Sequence, residues 1–428
     1  MSTTRLRVSS YCKLHLIYSY FLLFLWTRFQ KEEIKMQLIE IRPLDSKSKF
    51  DLNVFVDVMW KLYDQKKYPT WVPPLRLSVL DNLDVVKNPF YRNSDIQLYL
   101  ALKNSIPVGR IAAIECRPHN HFHQEKIGFY GFFECEDNQE TANALFEAAE
   151  NWARSRGLTA LRGPMNPSTN HECGLLVRGQ SHHPYVMTTW NPKYYEALHE
   201  RAHYKGVKDL LGYYIAADQG KDLPPRVVQI AEEARKSSRI IFRDFDIKNF
   251  DSEVEKCFEI YNSAWESNWG FFPMTRDEFF HMAKDMKLIL DTRFAYIAEV
   301  DGKPAGFNLV LPDVNQILKY IPSGKLFPTG IFKLLLGKKL LKTGRCITLG
   351  IKPEYRGAGI FALFSYENFR RAKKAGWIGG EASWILEDNE AMNKPWRDLG
   401  APIYKRWRIY EKSLNCDLNH GSEVIESR

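Results

Sequence analysis

At 428 residues the chain is too long for one ordinary hydrophobic core and implies two domains. Hydrophobic residues at 45% supply those cores and exclude a disordered chain, while the formal charge of +9 is diffuse. That charge suits a pyrophosphate or an acidic membrane surface at least as well as nucleic acid, which is not expected as a partner.

The N-terminus places Arg5, Arg7 and Lys13 before an apolar run from Leu14 to Trp26. The run is shorter than the roughly 20 apolar residues a spanning helix needs, and no small-residue cleavage site follows it. Residues 1–35 therefore read as an unstructured or mis-assigned extension with Met36 as the true start, a membrane anchor being the alternative. From residue 36 the chain repeats itself. Tyr99-Leu-Ala-Leu-Lys-Asn-Ser-Ile-Pro-Val-Gly109 aligns without a gap on Tyr296-Ile-Ala-Glu-Val-Asp-Gly-Lys-Pro-Ala-Gly306, and each copy reads as a β-hairpin. His119, His121 and His123 alternate in a polar stretch with no cysteine or acid at ligand spacing, so a loop is expected there and no metal. Ala144-Leu-Phe146 leads to Gly157, and Ala362-Leu-Phe364 leads to Gly376; each is an amphipathic helix stopped by glycine and followed by an apolar strand. The order hairpin, strand, helix, strand, helix thus occurs twice. It predicts an α/β protein of two domains, 36–218 and 219–415, joined near Gln219–Pro225, with 416–428 as a disordered tail. The seven cysteines (12, 116, 135, 173, 257, 346 and 416) contain no CxxC pair, which argues against a disulfide scaffold and points to a reducing cytoplasm.

Between a predicted strand, Cys346–Ile351, and a predicted helix, Phe361–Ala375, lies Pro353-Glu-Tyr-Arg-Gly-Ala-Gly359. Small residues let the backbone approach a ligand, and the N–H groups of a helix start can bind a pyrophosphate. The stretch Leu349 to Ile360 resembles the acyl-CoA-binding turn of the GNAT acyltransferase superfamily, with Arg356 and Gly359 on its pattern. The resemblance implies tandem GNAT-like domains, each a mixed, mostly antiparallel sheet flanked by helices. It also implies an acyl thioester, on coenzyme A or acyl carrier protein, held by Leu349, Ile351, Arg356, Gly357, Ala358, Gly359, Ile360 and Asn389. Two positions depart from the pattern: Phe361 stands where a small residue is usual, and Trp396 replaces the tyrosine that often protonates the leaving thiolate. In the first copy Phe132-Phe-Glu-Cys-Glu-Asp-Asn138 carries three acids that repel a pyrophosphate, so that domain reads as a degenerate copy shaping the acceptor site.

A narrower resemblance, to the bacterial ceramide synthase-like proteins, rests on Trp71–Leu75, Asn88–Phe90, Arg162–Ser168, Asn170–Leu176, Asn191–Tyr195, Leu311–Gln316 and Ser383–Asn389. It spans about residues 37 to 414 and implies transfer of a fatty acyl group to the amine of a sphingoid base. Independently, Lys319–Arg345 mixes Lys325, Lys333, Lys338, Lys339 and Lys342 with leucine, isoleucine and phenylalanine and has no acid. Such a segment can rest on the inner face of a membrane, or be a packed helix with a basic face.

Amide formation from a thioester needs a base for the ammonium proton and hydrogen bonds for the developing oxyanion. Glu172 with His171, and Glu381, are the candidate bases; the backbone near Leu349 and Ile351 is the candidate donor. Cys173 and Cys346 have no base nearby in sequence and read as buried thiols. The alternatives to an N-acyltransferase are a tandem-GNAT aminoacyl-tRNA-dependent transferase and a non-catalytic acyl-CoA-binding protein.

Overall fold

The computed structural model describes residues 39–217 and 222–414. The readings made above for residues 1–35 and 416–428, and part of the predicted junction, lie outside the described residues. One 13-stranded sheet runs through the molecule. Its first half is β1 (Ile39–Leu44), β2 (Ser94–Lys103), β3 (Ile106–Cys116), β4 (Ile127–Cys135) and β5 (Ala160–Gly163). After a two-stranded side ribbon, β6 (Met165–Asn166) with β7 (Glu172–Cys173), come β8 (Leu175–Arg178) and β9 (Lys205–Ala216). The second half is β10 (Ile240–Asp244), β11 (Ala295–Val300), β12 (Lys303–Pro312), β13 (Thr343–Ile351), β14 (Gly379–Leu386) and β15 (Ile403–Ser413).

The repeat read from the hairpins is a repeat of register. Ala101 stands opposite Gly109 and Ala298 opposite Gly306, with a bulge one step further on in both hairpins. Both turns put two residues at positive φ, Asn104 (50°) and Ser105 (63°) in one, Asp301 (50°) and Gly302 (78°) in the other. That backbone matches the twist of two strands joined by a two-residue loop. The helices also correspond. Helix Gln139–Ser155 buries Ala142, Leu145, Phe146, Ala149 and Ala153 on one face, and helix Ile360–Lys374 buries Ile360, Leu363 and Phe364. At about 1.5–3 kcal/mol for each large apolar side chain, these faces hold the helices on the sheet. The alternating histidines lie on a short helix, Arg117–His123, and not in a loop; His119 is buried and pairs with Glu125 at 3.1 Å.

The halves exchange their last strands. β15 pairs with β5 of the first half, and β9 pairs with β14 of the second. β9 and β15 also pair with each other, closing the sheet across the middle. A boundary near residue 219 therefore divides the chain but not the sheet. Trp407 and Ile409 of β15 are completely buried in the first half's core, so neither half keeps its core without the other.

Candidate active site

Two parallel strands that part company create the site. β13 and β14 pair only from Thr343–Cys346 against Gly379–Ala382, and then diverge. β14 continues along β9 with a register shift between Ala382 and Ile385, which carries it away from β13. The inward-facing backbone groups of β13 beyond Cys346 thereby lose strand partners on that side. A cavity of about 260 Å³ opens there, with Ile347, Thr348 and Leu349 on one wall and Ser383, Trp384 and Ile385 on the other.

The first half begins the same divergence and fills it. β4 and β5 pair only over Ile127–Phe129 and Ala160–Arg162. Asn166 Oδ1 then accepts from the Phe132 N–H at 2.6 Å, and a Cβ on Gly131 would lie 1.7 Å from the Met165 carbonyl oxygen. The chain itself occupies the space that is open in the second half. The helix starts differ in the same sense. Asn138 Oδ1 accepts from the Thr141 N–H at 2.8 Å, whereas helix Ile360–Lys374 starts at Gly359 with no side-chain cap. Its first N–H groups have no intrahelical acceptor and remain available to an anion.

Gly357 (φ +90°) and Gly359 (φ +82°) adopt the left-handed backbone that glycine tolerates without strain, and Arg356, Gly357 and Ala358 are exposed. The Arg356 guanidinium donates to the Ala264 carbonyl at 2.9 Å, which anchors the turn. Ile360 is buried beneath it. Phe361, the bulky departure, packs against Trp396 with ring centres 6.2 Å apart. Leu349 lines the cavity, while Ile351 lies beyond it, opposite Gly306. Asn389 also lines the cavity, but its Oδ1 accepts from the Met392 N–H at 3.2 Å and caps the following helix.

The opposite wall comes from the first half. The loop carrying His171 and Glu172 is fastened to the second half by Asn170 Nδ2 to the Phe272 carbonyl (3.0 Å), Tyr261 OH to Asn170 Oδ1 (3.0 Å) and Thr169 Oγ1 to the Gly270 carbonyl (2.6 Å). His171 Nδ1 bonds Ser168 Oγ at 2.8 Å; burial, and then the nearby His281, push its pKa down to about 4, so the imidazole is neutral at physiological pH. Among the described residues no hydrogen bond to the Glu172 carboxyl is formed, and Arg345 is the charge that acts on it. Burial raises its pKa against the opposing charge of Arg345. Glu172 and Met187 also border a second cavity of about 180 Å³, lined mostly by the first half and closed by Asn315 of the second. The Cys173 and Cys346 thiols are pushed up to about 12 by burial and stay protonated, as a non-nucleophilic role requires.

Glu381 occupies a different environment. It is 1% exposed and accepts from Ser383 Oγ at 2.5 Å, from Lys405 Nζ at 2.9 Å and from the Tyr404 hydroxyl. Burial alone would raise its pKa, but Lys405, Arg345 and these donors together hold it below the usual carboxylate range. It does not border the central cavity, and its oxygens are committed. Glu381 instead lines a neighbouring cavity, which shares Cys346 and Leu349 with the central one.

Arg345 is the residue sequence reasoning missed. It closes the basic segment in sequence but turns inward, 2% exposed. It donates to Ser383 Oγ at 3.1 Å and to the Val186 carbonyl of the first half at 3.0 Å, and it borders the cavity. A lone arginine in an otherwise apolar strand was the available signal. Among the described residues Asp81, His281 and Asp285 bring ligand-type atoms within 4.8 Å of one another, outside this cavity; His281 Nε2 already bonds Asp81 Oδ2 at 2.6 Å.

No family model matches the chain. Over 355 residues it is 36% identical to the bacterial ceramide synthase of Caulobacter vibrioides (strain NA1000 / CB15N), covering 81% of this chain and 91% of that protein. The chain belongs to the bacterial ceramide synthase family. It is also 33% identical over 376 residues to protein YghO of Escherichia coli (strain K12), covering 86% of this chain and 94% of that one. Among solved structures, a tandem GNAT protein from the clavulanic acid biosynthesis pathway superposes with a TM-score of 0.53 over 88% of this chain and 99% of its own, at 12% identity. That likeness shows the fold. Its membership of this family, on a tandem GNAT-like fold, makes the protein an acyltransferase. No helix among the described residues is long and apolar enough to cross a membrane.

Proposed function

We propose that the protein transfers a fatty acyl group from a thioester carrier to the primary amine of a sphingoid long-chain base. The observation that carries this reading is the facing of two half-sites across one cavity: the diverging backbone of β13, and the unpartnered Glu172 carboxyl from the other half. The glycine turn Arg356–Ile360, open at its helix start, favours coenzyme A as the carrier. A carrier thus held runs its thioester along β13, where N–H groups freed by the divergence polarise the carbonyl.

The acceptor meets Glu172 on the far wall. The carboxylate takes one proton from the arriving ammonium, and the neutral nitrogen attacks the carbonyl carbon. The tetrahedral intermediate collapses with loss of thiolate, which departs with the remaining surplus proton as thiol. A carboxylate raised by burial suits this work, because its proton affinity lies closer to the operating pH. Orientation of two reactants in one cavity supplies a further share of the acceleration.

Peripheral membrane contact through 319–345 supports a lipid acceptor. Tyr320, Phe327, Phe332, Leu335, Leu336 and Leu340 are each at least 52% exposed, and helix Gly330–Gly337 buries only Gly330 and Leu334. Apolar groups this exposed among lysines fit an anionic membrane surface on the cytoplasmic side.

The direct test incubates the purified protein with acyl-CoAs of several chain lengths and a panel of amines including sphinganine, with products read by mass spectrometry. An N-acyl amide of the long-chain base is expected. Binding of acyl-CoA with no amide from any amine would refute the reading.

A further inference from the structure

The geometry points to a fatty-acyl pocket behind β13: the apolar cavity bounded by helices Phe250–Ala264 and Arg276–Lys287 receives the donor's acyl chain and sets its length. This rests on the acyl-transfer reading above and names a subsite within it. The cavity measures about 80 Å³, and its walls include Phe245, Val254, Cys257, Phe279, Ala283 and Leu290. Its position decides its role. Thr348, Tyr261, Met282 and Met286 border both this cavity and the central one. Thr348 is also the neighbour of Leu349 on the strand proposed to carry the thioester carbonyl. A chain leaving that carbonyl through the wall at Thr348 enters apolar space without crossing the Glu172 side, where the amine must arrive.

The partition can give way. Met282 and Met286 are four residues apart on one helix, so they share a face, and both are half-buried. Methionine has flexible torsions and fills irregular gaps, so rotation of two such side chains merges the cavities without moving backbone. Two of the polar groups at the boundary are already committed: Asn308 is bonded to Asn368 at 3.2 Å, and the Tyr261 hydroxyl donates to Asn170 Oδ1 at 3.0 Å. The rest of the lining is mainly aliphatic and aromatic surface, which favours hydrocarbon.

Calorimetric titration of the full chain with a series of saturated acyl-CoAs, from acetyl to palmitoyl, tests the assignment without needing turnover. For the wild type, affinity should rise about fourfold per methylene buried until the pocket is full. Ala283→Phe, which adds a ring in the pocket away from the central cavity, should end that rise at a shorter chain, and Met286→Ala should extend it. In the transfer assay, Ala283→Phe should lower the ratio of kcat/KM for long over short donors by at least about 10-fold. The preference among amine chain lengths should stay unchanged. Wild-type affinity independent of acyl length, or an amine preference that shifts in place of the donor preference, would overturn the inference. Chain-length-dependent binding with no amide product would leave the pocket standing and remove the proposed reaction.

Discussion

Replacing Glu172 by glutamine keeps the size of the side chain and removes its capacity to take a proton, so it separates chemistry from structure. As the proposed base, Glu172 should contribute about 10²–10⁴-fold, equivalent to roughly 3–5.5 kcal/mol of barrier. Stability should move the other way. Burial raises the folded pKa of Glu172, so ionisation opposes folding as pH rises through that value, and the neutral amide does not carry this penalty. Arg345, which opposes that rise, keeps its bonds to Ser383 and to the Val186 carbonyl in the variant. The assay has two arms: single-turnover amide formation at saturating acyl-CoA, and thermal unfolding at pH 8. The expected result is a rate lower by two to four orders of magnitude with a midpoint equal to or above wild type. In the wild type the rate should rise with pH through the elevated Glu172 pKa, and that limb should vanish in Glu172→Gln. An unchanged rate would remove Glu172 as the base. A lower rate with a collapsed midpoint would mean that the carboxyl serves the fold.

Glu381→Gln should behave in the opposite manner, because its folded pKa is lowered and its charge stabilises above the unfolded value, about 4.3, with loss as pH falls. Leaving Lys405 buried beside an amide should cost about 3–5 kcal/mol in urea titrations at pH 7, and a change below 1 kcal/mol would contradict a structural contribution of this buried pair. Asp313, raised to about 7 mainly by burial and helped by the Glu381 charge, loses its folding contribution as pH rises through that value. Asp313→Asn should flatten the fall in unfolding midpoint between about pH 4 and 7, the unfolded and folded values. Arg356→Ala should weaken acyl-CoA binding roughly 10- to 100-fold, as expected for one charge-assisted contact, and unaltered calorimetric affinity would locate the pyrophosphate elsewhere. Leu336→Glu with Leu340→Glu should abolish co-sedimentation with anionic vesicles while leaving transfer to a soluble short-chain amine intact; retained sedimentation would move the membrane contact away from 319–345.

The local elements were legible because they depend on local chemistry. The Asn104-Ser105 and Asp301-Gly302 turns dictate two-residue hairpins wherever the chain goes. The glycines at 357 and 359 demand an open left-handed turn before a helix, and apolar spacing sets the faces of helices 139–155 and 360–374. From these the tandem order and the glycine turn before the helix could be read by sequence alone. Tertiary structure decided what depends on partners distant in sequence. The exchange of β9 and β15 leaves each strand's own pattern unaltered, since a strand is equally apolar beside β5 or β14. Two candidate carboxylates also looked alike in sequence. Folding put Lys405, Ser383 and Tyr404 against Glu381, and gave Glu172 an open cavity. A carboxyl's function follows its solvation and its donors, and most of those come from other strands of the closed sheet.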